Sequence, residues 1–514
     1  MESTERSVSV WEVTRAQRTT APLHGDAEAD VCVIGAGIAG MTTAYLLAKA
    51  GRRVIVLEKD AVGAGETGQT TAHLSSAMDD YFHVLEGVHG EQGSRIAFQS
   101  HQAAIEQIGA IAAAEGIDCD YERVEGYYFL DPSESADFLE KERDAARRAG
   151  AAPEVVERIP GVPFDSGPAL KFPNLGQFNA LKYLSGLADA VERLGGRIHT
   201  STHVTSVEGG DRVTVSGEGF RVSAGAAVVC TNPPIHDRFA PHSKQAPYRT
   251  YVVAARVPAG SIARGLYWDT LEAYHYVRLA PAEGDPAHEW LIVGGEDHKQ
   301  AHEDDTHDEH WGNLEAWTRE RFPMAQSFEL RWSGMVMEPA DYVGFVGRDP
   351  GGRQNVYITT GDSGQGMTHG TIGGMLNTDL ILGRPNEWET LYDPKRKTIS
   401  KDSVMEFVHE NVDVALQMTR HAPVGGDARS EADIQPGQGA VIQRGLHKVA
   451  CYRDEQGGVH EMSAVCTHLG CIVRWNGAES SWDCPCHGSR FAPLGEVLTG
   501  PAIGPLKKLD GEKE

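Results

Sequence analysis

Asp30-Val-Cys-Val-Ile34, followed by Gly35-Ala36-Gly37-Ile38-Ala39-Gly40, decides the fold of the larger part of this chain. The first five residues read as a strand buried on both faces. Residues 41–50 continue as an apolar helix, and residues 53–57 form a second apolar run that ends in Glu58 and Lys59. A Gly-x-Gly-x-x-Gly pattern alone is weak evidence. Here a strand precedes it, a helix follows, and an acid stands eighteen positions beyond the third glycine, which is the full context of a dinucleotide-binding βαβ unit. Gly35 permits the tight turn, Gly37 lets backbone approach a pyrophosphate, and Gly40 lets the helix pack on the strand. The helix N-terminus offers free N–H groups to the phosphates. Glu58 is placed to accept hydrogen bonds from the ribose hydroxyls.

The chain holds one such fingerprint, whereas an enzyme that passes hydride from NAD(P)H to a flavin usually needs two. A different glycine cluster lies far downstream, where Val356-Tyr-Ile-Thr-Thr360 runs into Gly361-Asp-Ser-Gly364-Gln-Gly366-Met367-Thr368-His-Gly370. A strand, a glycine loop and a helix aim a second positive helix end at a bound group. That suits a flavin whose N1–C2=O edge becomes negative on reduction, so FAD is the expected nucleotide.

Near the C-terminus two boxes carry a different chemistry, Cys466-Thr-His468-Leu-Gly-Cys471 and Cys484-Pro-Cys486-His487-Gly-Ser489, with fifteen residues between His468 and Cys484. The spacing Cys-x-His then Cys-x-x-His is the ligand set of a Rieske [2Fe–2S] cluster, with Cys466 and Cys484 on one iron and His468 and His487 on the other. A zinc site is the competing reading, but zinc spacings usually pair Cys with Cys and His with His. Imidazole ligands are neutral, so such clusters have potentials of about −150 to +300 mV against about −400 mV for plant-type ferredoxins. Residues 422–514 resemble the Rieske family. The resemblance implies a Cys471–Cys486 disulfide, as in the cytochrome bc-type members, and a Ser489 hydroxyl bonded to a bridging sulfide. Phe491 stands where those members have tyrosine, which implies one hydrogen bond fewer and a lower potential.

Residues 30–383 resemble the D-amino-acid oxidase/glycine oxidase superfamily of FAD-dependent oxidoreductases. The carrying residues are the fingerprint with Glu58, the stretch Gly63-Ala-Gly65-Glu-Thr67-Gly-Gln-Thr70-Thr-Ala-His73, Trp332-Ser-Gly334, and the 361–370 loop. The whole chain is similar to a bacterial group in which such an oxidoreductase is fused to a Rieske domain. The resemblance implies an α/β Rossmann-like FAD domain with an inserted antiparallel-sheet substrate domain (α+β), plus a C-terminal all-β Rieske domain. Expected limits are an N-terminal arm at 1–29, an FAD domain from 30–115, 178–235 and 335–384, and a substrate domain from 116–177 and 236–334. A helical linker at 385–421 and the Rieske domain at 422–514 complete the chain. Val204 is expected to pass the adenine. Residues 121–130, 248–256 and 273–279, rich in aromatic and β-branched types, suit a sheet roofing the flavin.

At 514 residues the chain calls for about two to four folding units. With 40% hydrophobic and 23% charged residues it has an ordinary globular composition. It has no apolar run long enough to span a membrane, and residues 1–18 lack an export signal. A formal charge of −26 argues against nucleic acid or an anionic membrane as partner. Cysteines outside the boxes are scattered singly, which suits a cytoplasmic protein. The acid- and histidine-rich stretch 296–310 reads as a solvated loop, with a metal site as the alternative.

On the strand Tyr274-His-Tyr276-Val-Arg278, alternate residues share a face. Tyr274, Tyr276 and Arg278 are therefore the candidate substrate-facing residues, Arg278 pairing a carboxylate through its fork; an amphipathic strand with its polar side in water is the other reading. By resemblance to dimethylglycine dehydrogenase-like enzymes, His73 adjoins the flavin, with or without a covalent bond. The expected activity is oxidation of a C–N bond of a small amine or amino acid, with hydride passing to FAD. Electrons then pass singly through the cluster to an external one-electron acceptor. The alternatives are an oxygen-reducing oxidase with an accessory Rieske domain and a non-enzymatic electron-transfer subunit.

Overall fold

The structure is a computed structural model that describes residues 7–14, 17–131, 134–236, 242–271, 274–301, 307–397 and 426–509. The first sheet grows around the strand Gly25–Ile34, whose last four residues are all buried. It pairs in parallel with Phe220–Val229 on one side and Val54–Leu57 on the other. The sheet order is Phe345–Arg348, Val356–Thr360, Phe220–Val229, Gly25–Ile34, Val54–Leu57, Arg197–His199. Continuous apolar runs such as Val54–Leu57 form strands here because a parallel sheet is covered on both faces. Residues 25–29, read above as part of an N-terminal arm, are already sheet, with Gly25 opposite Phe220. The short helix Val10–Thr14 is also built in: Trp11 is buried and its indole donates to the Thr70 carbonyl at 2.5 Å.

Two helices, Ile38–Lys49 and Gly366–Leu382, pack against each other. Small residues set that approach, since a Cβ on Gly370 would lie 2.6 Å from Ile38 Cγ2 and one on Gly374 would lie 2.6 Å from Thr42 Cγ2. Each helix follows the C-terminal end of a parallel strand, so both N-termini arrive at the same edge of the sheet, where such folds bind ligands.

The second sheet has the order Phe328–Pro339, Gln245–Pro258, His288–Lys299, His275–Pro281, Leu266–Asp269, Glu122–Phe129, Ala169–Gln177, His73–Leu74. Its pairings are antiparallel apart from Leu266–Asp269 with Glu122–Phe129. Phe328–Pro339 stays paired with Gln245–Pro258 as far as Gln245 opposite Pro339. The sequence reading split this strand between 334 and 335; the unbroken ladder carries residues 335–339 with the roof.

The C-terminal module has a three-stranded sheet (Gly439–Arg444, His447–Arg453, Val459–Ser463) and a four-stranded one (Arg474–Asn476, Ser481–Asp483, Arg490–Phe491, Val497–Thr499), both antiparallel. A core of Val441, Ala450, Met462, Val473, Trp482 and Phe491 joins them. Of the expected helical linker, Glu389–Tyr392 is helical, and residues 398–421 lie outside the described residues. Among the described residues no helix is long and apolar enough to cross a membrane.

Candidate functional site

One continuous cavity runs between the two sheets. Gly35, Gly37, Ile38, Ala39, Glu58, Lys59, Gly65, Thr67, Thr70, His73, Val204, Gly361, Gly364, Gly366 and Met367 all line it. Ala36, Gly40 and Thr368 stand just behind that surface. Ala36 N–H donates to Glu58 Oε2 at 2.7 Å, and Thr368 Oγ1 is bonded to His101 Nδ1 at 2.8 Å. The first glycine turn admits no side chain, for Gly35 has φ +100° and a Cβ there would lie 2.5 Å from the Cys230 carbonyl oxygen. A Cβ on Gly40 would lie 1.9 Å from the Gly35 carbonyl oxygen. Glu58 Oε1 accepts from the Asp60 N–H at 2.9 Å. Burial pushes its pKa up, against the pull of the two N–H groups.

At the far end the lining changes to Tyr128, Trp268, Tyr274 and Tyr276 with Asp79, Thr250 and Asp297. Tyr274 Oη donates to Asp79 Oδ2 at 3.1 Å, and Tyr276 Oη lies 2.7 Å from Thr250 Oγ1. His73 packs beside Trp268 and Tyr276, with ring centroids 5.7 and 5.6 Å away. Its Nδ1 meets Thr71 Oγ1 at 3.0 Å, and its Nε2 is buried without a hydrogen-bond partner among the described residues. Burial pushes the imidazole down to about 3, so it is neutral. More carboxyls lie here, Asp362 in the wall and Asp80 and Glu338 behind it. Ser363 Oγ donates to Asp80 at 3.0 Å and to Glu338 at 2.8 Å, and Asp362 accepts from Met337 N–H at 2.8 Å. Burial pushes Asp80 and Asp297 up to about 7 and Asp362 up to about 6.

Arg278 departs from the sequence reading. It is 1% exposed, yet it is absent from the cavity wall. Its guanidinium donates to the carbonyls of Thr71, Ala72 and Phe178 at 3.0, 2.7 and 3.1 Å and lies 5.3 Å from the Trp11 ring. Alternation placed it on the right face, but the 71–73 backbone passes over that position and takes up its donors. The 296–310 stretch departs too. Glu296 and Asp297 lie in the strand His288–Lys299, Glu296 accepting from Asn313 at 3.0 Å, and His298 stacks on His310 at 4.6 Å. Residues 302–306 lie outside the described residues. Asp79, Thr250, Trp268 and Asp297 were missed, because none belongs to a motif with spacing of its own.

In the C-terminal module the two boxes form facing loops. Gly470 N–H donates to the Cys466 carbonyl at 3.0 Å and Cys484 N–H to that of Ser489 at 2.8 Å. Cys471 and Cys486 form a disulfide. Both sulfurs lie within 4.8 Å of Cys484 Sγ, but being bonded to each other they are not free to ligate. Cys466 and Cys484 thiols lie within hydrogen-bond reach of each other, and that contact, with the His468 N–H and the Ser489 hydroxyl, pulls the Cys466 pKa down. His468 and His487 stand perpendicular with centroids 5.0 Å apart, 8% and 5% exposed. His487 Nδ1 is buried without a partner among the described residues. Two adjacent thiols and two adjacent imidazoles are the donor set that a Rieske [2Fe–2S] cluster needs.

This module is docked on the cavity. Val497, Leu498, Thr499, Gly500 and Ala502 form part of the cavity wall. Arg249 of the roof sheet pairs with Asp483 at 3.4 Å, and Ser333 Oγ is bonded to Glu479. Gly488, beside His487, leaves no room for a side chain, since a Cβ there would lie 2.9 Å from Met335 Sδ. His242 closes the imidazole edge, 4.9 Å from His468 and 5.7 Å from His487 between ring centroids.

Residues 30–380 match the DAO family, described as FAD dependent oxidoreductase. The chain belongs to this family. Residues 427–510 match the Rieske [2Fe-2S] domain family. Over 508 residues, 98% of each chain, it is 29% identical to YhfW of Bacillus subtilis (strain 168), whose name carries the words Rieske 2Fe-2S iron-sulfur protein. The C-terminal part is 38% identical over 77 residues to the cytochrome b6-f complex iron-sulfur subunit of Chlorobaculum thiosulfatiphilum, 15% of this chain and 42% of that one. Among solved structures, glycine oxidase from Geobacillus kaustophilus superimposes with a TM-score of 0.60 at 19% identity, covering 73% of this chain and all of that one. L-proline dehydrogenase from P. horikoshii gives 0.58 at 19% identity, with 73% and 98% covered. The cofactors of this DAO-family chain are thus FAD and a Rieske [2Fe–2S] cluster. Its cavity fits the first, with a glycine turn closed to side chains, two helix N-termini and an unpartnered imidazole nitrogen. Its paired Cys and His loops fit the second.

Proposed function

We propose that this FAD-dependent oxidoreductase is a dehydrogenase that oxidises a C–N bond of a small amine or amino acid and sends the electrons out through its own Rieske domain. The observation that carries this reading is the shared wall, in which residues 497–502 of the Rieske module close the cavity that holds the FAD fingerprint. Carriers held in one chain across a packed interface need no diffusional encounter. The substrate CH–NH unit loses two electrons and two hydrogens and becomes C=N, which water cleaves to a carbonyl and a free amine. Bound FAD supplies a two-electron acceptor and the cluster a one-electron relay to an external acceptor. The chain's own residues do the rest. The aromatic wall orients the substrate and excludes water, Tyr274 Oη and Asp79 lie within proton-transfer range of each other, and Arg249 with Asp483 fixes the module.

Anaerobic addition of candidate amines and amino acids to the holoenzyme tests the proposal. Bleaching of the flavin absorbance followed by the EPR signal of a reduced Rieske cluster is the expected result. Bleaching with no cluster signal, and rapid peroxide on admitting air, would make the chain an oxidase. No bleaching by any of them would make it an electron-transfer subunit.

A further inference from the structure

We infer that the substrate is an organic cation, an amine that carries no carboxylate, held by Asp297 and Asp79 against the rings of Tyr274, Tyr276 and Trp268. This rests on the C–N oxidation reading above and narrows its substrate class.

The strand His288–Lys299 delivers Asp297 by an irregularity. In its ladder with Gln245–Pro258, Arg249 faces His298 and Tyr251 faces Gly295, so Thr250 alone stands opposite both Glu296 and Asp297. Glu296 takes a left-handed backbone, φ +58°, as the first residue of a G1-type β-bulge does, and bulges beside active sites re-aim side chains. Glu296 turns to Asn313 and to the His310 ring, at 3.0 and 3.4 Å. Its neighbour Asp297 faces the cavity instead. Asp297 is hydrogen-bonded by Thr250, yet its Oδ1 is buried with no partner among the described residues. Asp80 and Glu338 behind the wall and Asp362 within it have structural bonds of their own, to Ser363 and to Met337. Asp297 thus lines the ligand space with one carboxyl oxygen left unpartnered among the described residues.

Among the described residues, His275 draws the Asp297 pKa down against the push of burial, but stands outside the cavity wall and is held by Asp269 at 2.8 Å. Among the described residues lining the cavity, Lys59 is the one lysine or arginine, and it is paired with Asp60 beside Glu58, at the ribose end. His73 and His369 are pushed down to about 3 and about 4 by burial, and are neutral. Arg278, the nearest guanidinium on this strand, is bonded to backbone carbonyls. A carboxylate entering here would meet two acids and no partner, at a large desolvation cost. An ammonium group would instead relieve the burial of Asp297, and aromatic faces attract cations by about 0.5–2 kcal/mol each.

Two aromatic probes of opposite charge test this in the oxidised holoenzyme, with binding followed by the flavin spectrum. Benzyltrimethylammonium has no nitrogen lone pair and cannot become an imine; benzoate is its anionic counterpart. The ammonium is expected to bind at least tenfold tighter than benzoate. Asp297→Asn and Asp79→Asn should each weaken the ammonium tenfold or more without weakening benzoate, and Asp297→Glu should recover part of the loss. Benzoate binding as tightly as the ammonium, no saturable ammonium binding, or an ammonium Kd unmoved by both Asn variants would overturn the inference. The wild-type pair alone decides if a variant fails to fold. Because binding requires no turnover, ammonium binding without flavin reduction by any amine sinks the oxidation reading alone. Amino acids that reduce the flavin of a protein that ignores the ammonium sink this inference alone.

Discussion

The cluster loops and the aromatic roof belong to different modules and are built from opposite kinds of sequence. The cluster ligands sit in two short boxes, and residues two and three positions apart form each half of the donor set. The roof is assembled from strands at 122–129, 245–258, 266–269, 275–281 and 288–299, and no two of its lining acids share a motif. A metal site tolerates little error in ligand distance, so its loops must carry their own geometry in local glycines and a disulfide. A substrate wall needs only the right surface, and register and bulges supply it from a distance.

The sharpest break between the two ends comes from removing a ligand. Cys484→Ser is expected to abolish the cluster, leaving iron and acid-labile sulfide near zero, while FAD stays at full occupancy because its glycine turns belong to a different sheet. Metal analysis and the visible spectrum read both at once, and joint loss of FAD would mean that the modules depend on each other to hold their cofactors. The reciprocal change is Gly40→Ala. Its Cβ would lie 1.9 Å from the Gly35 carbonyl oxygen, so helix and turn must separate, at a cost of about 1–3 kcal/mol for overpacking. Protein that has lost FAD but kept its cluster is expected.

Legibility follows the same division. The turn at Gly35–Gly40, Glu58 beneath it and the Cys/His boxes were readable because each is a local arrangement with one sufficient explanation. The Cys471–Cys486 bridge came with the family resemblance and is present. Arg278 was misread because alternation fixes the face of a strand but not what passes over it; the 71–73 backbone, brought there from far away in sequence, claims its donors. Asp297 was invisible since a one-residue bulge undoes the alternation by which a strand is read. Docking of residues 497–502 on the cavity depends on packing between modules, for which neither partner has a signature.

Arg278→Lys sharpens the comparison from the roof side. A lysine cannot reproduce three directed bonds to three carbonyls, and the loss should be about 2–4 kcal/mol of stability, read as a lower denaturation midpoint. The KM of any substrate that reduces the flavin should change less than twofold. A large rise in KM with unchanged stability would restore Arg278 as a substrate-binding fork.

The smallest expected effect lies in pH, where two adjacent residues of one bulge differ in sign. Burial pushes Asp297 up to about 7, with Asp80 close to the same value and Asp362 at about 6, against about 3.9 for an unfolded aspartate. Between those values the folded chain binds more protons than the unfolded one, so stability falls as pH rises from about 4 through about 7. Glu296 is held down to about 2 by hydrogen bonds from His275, Asn313 and His310. Its contribution is present above about 4.3 and is lost only in more acidic solution. From about pH 5.5 to about pH 8 these acids therefore pull Tm down, against the buried neutral rings of His73, His101 and His369, which gain protons only on unfolding and pull Tm up as pH rises through about 6.5. Asp297→Asn should remove part of the downward pull, so that Tm falls less or rises more across the window than in the wild type, while Glu296→Gln should lower Tm throughout the window without changing its slope. A slope untouched by Asp297→Asn would mean that this acid is hydrated and ionised in solution, and that the wall is wetter than its packing implies.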